Sequence, residues 1–412
     1  MKRGSARKKT VKTPADDIYL LPAMNLKSAI YPLRTCFRKG VPARLVEALS
    51  DGCVKLKPSL ARRYAPPTST HGALMPLLLP DERTAAMLDQ IPSQTTRAER
   101  RFLYHFFSQL WTGQNVLEVG PFLGGTTRAM ALGMLANPRR APQARLHTYD
   151  RFRYYMSGQS LRDLIGPLVA CGELAERDVD EIGESADFEV LFNRLHGKHE
   201  YNQLIRCVNG PLPDLPEDVG EAANLFRTPA GFAFDAVFID GCKSWFGTRY
   251  FMQAVLPQAQ VGAWFIFQDY AHHPCFWLPA FMGTFGEAFH LGLYVDSTYA
   301  FQLRQPLTAQ DVQARFPESP DAWDEKKFEA LFRRLIQEAR DRDDPRTQIV
   351  YAIQWAAALA YVGNKAAARR VLNELDRTPG SDGIDDWIRS VGYLTYYPGK
   401  TGSRLLKLDE LP

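Results

Sequence analysis

"VLEVGPFLGGTTRAM", residues 116–130, decides how the chain is read. Val116 to Val119 form a short, mostly apolar run of the kind that makes a strand buried on both faces, and Thr126 onward reads as a helix. Gly120, Gly124 and Gly125 sit between the two. A glycine-rich turn joining a buried strand to a helix is where open parallel sheets bind nucleotide-like ligands. The spacing then narrows the ligand. A dinucleotide fingerprint, G-x-G-x-x-G, uses its second glycine to let the backbone approach a pyrophosphate. Here Phe122 holds that position, and no GKS or GKT triplet is present in the loop for a nucleoside triphosphate.

A ligand without phosphate fits better. S-adenosylmethionine is one, an adenosine bearing a sulfonium and an amino acid, cationic at its reactive end and open to attraction by a carboxylate such as Glu118. The next strand, "ARLHTYD", ends in Asp150, which can accept hydrogen bonds from both ribose hydroxyls. Its distance from the glycine turn exceeds the usual ~20 residues, and "NPRRAPQA" absorbs the excess. Downstream, "LIRCVNG", "FDAVFID", a helix through "GTRYFMQAVL", "GAWFIFQDY" and the two-strand candidate "LGLYVDSTYAFQL" continue the alternation. Strands alternating with helices predict an α/β fold with a parallel sheet covered by helices.

Residues 92–306 resemble a class I S-adenosylmethionine-dependent methyltransferase, in the branch of macrocin-type sugar O-methyltransferases and, more distantly, catechol and caffeoyl-CoA O-methyltransferases. The match is carried by "VLEVGPFLGGTT", the aspartate of "YDRF", "FDAVFIDG" and "GAWFIFQDY", in that order. The resemblance implies a Rossmann-like, doubly wound, mostly parallel seven-stranded sheet. It implies S-adenosylmethionine held by Glu118, Gly120, Phe122, Gly124, Gly125, Thr126, Asp150 and Asp240. It also implies Mg²⁺ at Asp240, Asp269 and Gln268, with Asp240 and Lys243 as the catalytic pair and a sugar, glycoside or polyphenol-like hydroxyl as acceptor.

The chemistry gives these residue types a purpose. Methyl transfer to oxygen is an in-line displacement at the sulfonium methyl, and a neutral hydroxyl is a poor nucleophile. A divalent cation can lower the hydroxyl pKa while a side chain takes the proton. Strand-end carboxylates suit such a hard cation, and a lysine beside it is pushed toward its neutral form by like charge and desolvation. Three departures from the family pattern weaken the metal set. Cys242 stands where macrocin-like proteins place a second acid, Gln268 where they often place another, and Tyr270 where catechol-type enzymes place an asparagine. A metal-independent N- or O-methyltransferase is therefore one alternative, and a non-catalytic scaffold of the same fold is another. His272 and His273 are a further candidate base or ligand, or plain loop residues. His196 and His199, spaced HxxH without a suitable partner, read as surface residues. The aromatics of "RFRYY" and "CFWLPAFM" read as an acceptor wall or as core.

Length and composition bound the rest. At 412 residues, two packed units plus extensions are expected. A formal charge of +4 gives no strong field toward nucleic acid or an anionic membrane. Residues 1–15, with "MKRGSARKKTVKTP", read as a basic flexible tail without the apolar core of a secretory signal. No apolar run of about 18 residues predicts a membrane span. The six cysteines are scattered without a CxxC pair, as expected for a reduced cytoplasmic protein.

Residues 16–91 read as a proline-broken amino-terminal extension. Residues 151–203 read as an insertion whose acidic middle, "CGELAERDVDEIGESADFEV", is expected to be a solvated helical face and, beside a sheet edge, a lid. Residues 307–412 read as a helical carboxyl-terminal domain. In it Phe328, Leu331, Phe332, Leu335, Ile336 and Ala339 share one stripe. The alanine-rich pair around Gly363 resembles a single tetratricopeptide repeat, which cannot bury its own face alone. Those helices are the surface expected for a homo-oligomer or a protein partner.

Overall fold

The computed structural model describes residues 80–153, 156–184, 186–210, 213, 233–242, 244–272, 275–342, 344–375, 393–396 and 404–407. The basic tail, nearly all of the amino-terminal extension, Lys243 and His273 lie outside the described residues. Seven strands form one sheet: β1 (Asn115–Val119), β2 (Leu146–Asp150), β3 (Ile205–Asn209), β4 (Phe234–Ile239), β5 (Ala259–Phe267), β6 (Phe289–Val295) and β7 (Thr298–Leu303). Their order is β3-β2-β1-β4-β5-β7-β6. The first five are parallel, while β7 runs antiparallel to both β5 and β6. This is the Rossmann-like, doubly wound sheet expected.

Side-chain alternation splits the interior into two cores. Leu117, Val119, Val237, Ile239, Phe265 and Phe267 project to one face. Val116, Ala236, Phe238, Trp264 and Ile266 project to the other. The period of two along each strand decides the face, and both faces are covered, so all six residues of β4 are buried.

The second of these faces is covered by α1 (Glu82–Gln90), α2 (Arg97–His105) and α3 (Gly125–Ala136), together with helices of the insertion. Thr96 caps α2 in a reciprocal box with Glu99. The other Glu99 oxygen accepts from the Ser297 amide, the Ser297 hydroxyl (2.7 Å) and the Thr298 hydroxyl (2.9 Å), which pins α2 to the β6–β7 turn.

The insertion is folded. It forms α4 (Gly158–Ala170), α5 (Glu176–Asp180) and α6 (Glu189–Gly197), whose Leu161, Ile165, Leu191, Phe192 and Leu195 are core residues. The solvated acidic face expected there is corrected at two positions. Asp178 is buried and paired with Arg194, and Glu173 is paired with Lys198 at 2.7 Å. Buried carboxylates need such partners.

The first face is covered by α7 (Trp245–Val255), α8 (Trp277–Thr284), α9 (Ala309–Arg315), α10 (Glu325–Asp341), α11 (Pro345–Tyr361) and α12 (Lys365–Leu375). Trp245 is fully buried, stacked on Phe316 at 4.2 Å, and its indole N–H donates to Pro317 O at 2.7 Å. Emptying that position would cost about 3–5 kcal/mol. Phe328, Phe332, Ile353 and Ala357 belong to the same core cluster as β4 and β5, so the carboxyl-terminal helices share the core of the sheet. The region expected to be helical also holds an antiparallel hairpin, β8 (Tyr393–Tyr396) with β9 (Arg404–Lys407). Among the described residues no helix is long and apolar enough to cross a membrane.

Candidate active site

Register brings the site together. Val119 lies opposite Tyr149 and Ile239, and Ile239 lies opposite Phe267, so four neighbouring parallel strands end nearly flush. Gly120, Asp150, Asp240 and the pair Gln268–Asp269 therefore emerge along one carboxyl edge. The sheet reverses its winding between β1 and β4, and ligands of open α/β sheets bind at that crevice.

The glycine turn meets the β4 end directly. Gly120 has φ +79°, and a Cβ there would lie 2.3 Å from the Asp240 carbonyl oxygen. Only glycine combines that backbone with that approach. The turn itself is pinned by the Gly124 amide donating to Pro121 O at 2.8 Å. Phe122 sits at φ +51°, and its amide points at Asp150 Oδ2, 3.4 Å away. The other Asp150 oxygen accepts from the Phe152 amide at 2.8 Å. Asp150 thus joins the end of β2 to the glycine turn, and its burial pushes its pKa up against those two bonds.

Glu118 departs from the expectation of a carboxylate facing the sulfonium. Strand parity puts it on the face of Val116, under the first turn of α3, where it is 0% exposed. Thr126 donates to one oxygen at 2.7 Å, and Thr127 (2.7 Å) and Thr148 (2.9 Å) donate to the other. Burial raises its pKa to about 7, opposed by the three hydroxyls and assisted by the Asp240 charge. Glu118 and Thr126 therefore hold the loop from behind, and their side chains do not open to a ligand.

On the other side of the switch, the Asp240 amide donates to Val119 O at 2.9 Å and the Gln268 amide to Ile239 O at 3.0 Å. Asp240 and Asp269 are half-buried at this edge. Cys242 has φ +55° and is only 3% exposed, its carbonyl accepting from the Thr248 hydroxyl at 3.2 Å. The position of the second family acid is thus a core position in this chain. Ser244 caps α7 through the Gly247 amide.

The Asp269 loop is held from the carboxyl-terminal helices, which the sequence did not signal. Asp269 has φ +61°. Gln354 of α11, fully buried, donates from Nε2 to Tyr270 O (2.8 Å) and to His272 O (3.0 Å). The Tyr351 hydroxyl lies 3.2 Å from that of Tyr270. A cavity of about 450 Å³ opens between α8, α10 and β6, with Tyr270, Phe289, Phe301, Arg334 and Tyr351 on its walls. It reaches Tyr270 but no residue of the glycine turn.

The Mg²⁺ that the resemblance implies prefers six oxygens in near-octahedral array. Among the described residues no group of three His, Cys, Asp or Glu side chains could hold a metal. Gln268 turns its amide nitrogen toward Asp269 Oδ1 at 2.7 Å, so it does not add an oxygen beside that carboxylate. Asp240 and Asp269 remain as the two carboxylates at this edge that would hold a Mg²⁺, whose other oxygens would come from water and the acceptor.

The aromatics also resolve. Phe152, Phe276, Trp277 and Phe281 are all 0% exposed and belong to the core, while Tyr154 and Tyr155 lie outside the described residues. His196, expected at the surface, is 0% exposed, and His199 stacks on Tyr201 at 5.1 Å. Beside them Arg128, a fully buried guanidinium, has its Nη2 3.2 Å from His199 Nε2 and donates from Nε to the Tyr201 hydroxyl at 2.8 Å.

No family model and no curated protein matches the chain. Solved structures do. The O-methyltransferase NovP is 16% identical over 51% of this chain and 82% of its own, with a TM-score of 0.35. The O-methyltransferase from Bacillus cereus in complex with SAH is 13% identical over 55% and 93%, with a TM-score of 0.33. CalS11, a TDP-rhamnose 3'-O-methyltransferase of calicheamicin biosynthesis, is 12% identical over 67% and 94%, with a TM-score of 0.35. At such identities and TM-scores, chemistry has to be argued from the residues of this chain.

Proposed function

We propose that this chain transfers a methyl group from S-adenosylmethionine to a hydroxyl of a small molecule, such as a sugar, a glycoside or a polyphenol-like compound. The observation that supports the reading best is the meeting of Gly120 with Asp240 across the switch between β1 and β4, with Asp150 on the flank. That geometry packs the glycine turn against the end of β4 and places the acid-bearing ends of β2 and β4 on either side of it. Asp150 would accept from the ribose, and the backbone of Gly120 to Gly125 would line the adenosine and amino-acid parts.

In the reaction the sulfonium–methyl bond breaks as the carbon–oxygen bond forms, leaving S-adenosylhomocysteine and a methyl ether. The acceptor proton has to move to a base. Lys243, three residues after Asp240 in the sequence, is the residue we assign to that step, with Asp240 orienting the reacting groups. Two carboxylates are fewer protein oxygens than the family pattern supplies, and the departures at Cys242 and Gln268 favour the metal-independent alternative over a Mg²⁺-assisted one. A reducing, cytoplasmic setting belongs to the same reading and rests on the scattered cysteines of the sequence.

Calorimetric titration of the full-length chain with S-adenosylmethionine tests the reading, followed by transfer of a labelled methyl group into small-molecule extracts. Saturable uptake of the donor and label on a hydroxyl compound are expected. Absence of donor binding in every salt condition would overturn it.

A further inference from the structure

We propose that His196, on the insertion rather than on the methyltransferase sheet, is a positioning residue that sets the conformation of the glycine turn for the cofactor. The proposal rests on the reading that this turn binds S-adenosylmethionine. Helix α6 carries the His196 ring to the underside of the turn, where Nε2 is 3.1 Å from Leu123 O and Nδ1 is 3.1 Å from the Tyr201 hydroxyl. Gly124 leaves the room for it, since a Cβ at that position would lie 2.0 Å from His196 Nε2.

Proton counting fixes the state of the ring. A guanidinium only donates, so the Tyr201 oxygen accepts from Arg128 Nε and keeps its own proton to give away. That proton goes to His196 Nδ1, which must then be a lone pair. The imidazole proton sits on Nε2 and is donated to Leu123 O. A neutral ring in this one tautomer satisfies every member of the chain, whereas a second ring proton would leave the Tyr201 hydroxyl without an acceptor. Burial and the Arg128 charge act in the same direction, lowering the His196 pKa to about 3.

The turn is thereby held at three points: the Phe122 amide directed at Asp150, the Gly124 amide at Pro121 O, and the Leu123 carbonyl at His196. The first two are local to the sheet edge. The third couples the turn to the insertion, because His196 lies on α6, and Arg128 ties α3 to the same helix at Leu195 O (3.2 Å) and to α1 at Gln90 Oε1 (2.8 Å). His196 does not touch the reacting atoms. It orients the peptide against which the cofactor is to lie.

The test uses the full-length chain and three variants. His196→Phe keeps the ring volume without either hydrogen bond, His196→Gln keeps an amide N–H at similar reach, and Tyr201→Phe removes the donor to Nδ1 that steadies the ring. Affinities for S-adenosylmethionine and S-adenosylhomocysteine are measured by calorimetry beside the unfolding midpoint without ligand. His196→Phe is expected to weaken both ligands by roughly tenfold, His196→Gln to recover to within about threefold, and Tyr201→Phe to fall between. A spectrum of ¹⁵N-histidine protein should show one ring in the Nε2–H form that does not titrate between about pH 5 and 8. Wild-type affinity in His196→Phe, or failure of His196→Gln to rescue, overturns the proposal. Should His196→Phe fail to fold, unchanged affinity in Tyr201→Phe overturns it. A wild-type chain that binds neither ligand overturns the functional reading itself, a result separate from any difference among the variants.

Discussion

Replacing Glu118 by glutamine should change how stability depends on pH. The carboxyl is fully buried and its pKa stands at about 7 against an ordinary 4.5, chiefly because burial disfavours the charged form. A carboxyl with a raised folded pKa binds protons more tightly in the native state than in the unfolded one. Its stabilising contribution is fully present below about pH 4.5 and is lost as pH rises through about 7. A shift of that size corresponds to about 3 kcal/mol lost across the window. Glutamine has the same length, can accept from one threonine hydroxyl and donate to another, and does not ionise. Urea unfolding of both proteins from about pH 4 to 9 should therefore show E118Q gaining on the wild type by about 3 kcal/mol as pH rises. Curves that run parallel across that range would refute the reasoning, because the Glu118 proton would then contribute equally to both states.

Three further outcomes are expected. Gly120→Ala drives a methyl carbon into the Asp240 carbonyl at 2.3 Å and should abolish S-adenosylmethionine binding, read by calorimetry, with about 1–3 kcal/mol lost in unfolding. Gln354→Leu removes the side-chain amide that donates to both the Tyr270 and His272 carbonyls, the latter keeping its bond from the Cys275 amide; a loss of about 1–3 kcal/mol and a larger fall in turnover than in donor affinity should follow, measured by unfolding and by label transfer. Adding EDTA should leave donor affinity and label transfer unchanged, and a loss on chelation that added Mg²⁺ restores would show that the two strand-end carboxylates recruit a metal after all.

Much of the sheet was legible because its signals are local. The apolar runs ending at Val119, Asp150 and Ile239 mark parallel strands, and the glycines after Val119 mark the turn, since burial pattern and backbone freedom act over a few residues. The register of those strands then follows, which is why Gly120, Asp150, Asp240 and Asp269 could be named together from their positions at strand ends.

What the sequence alone determined is therefore the sheet, its carboxyl edge and the residues that must lie along it. Only the tertiary structure decided which way those residues face and what holds them. Glu118 is turned from the ligand by hydroxyls that include Thr148, 30 positions away; the Leu123 carbonyl is held by His196, 73 positions away; and the loop after Asp269 is held by Gln354, 84 positions from Tyr270. None of these partners has a periodicity or a neighbour that announces it. A buried polar group is satisfied by whichever group the fold brings within about 3 Å, and that choice is made in space after the chain has packed.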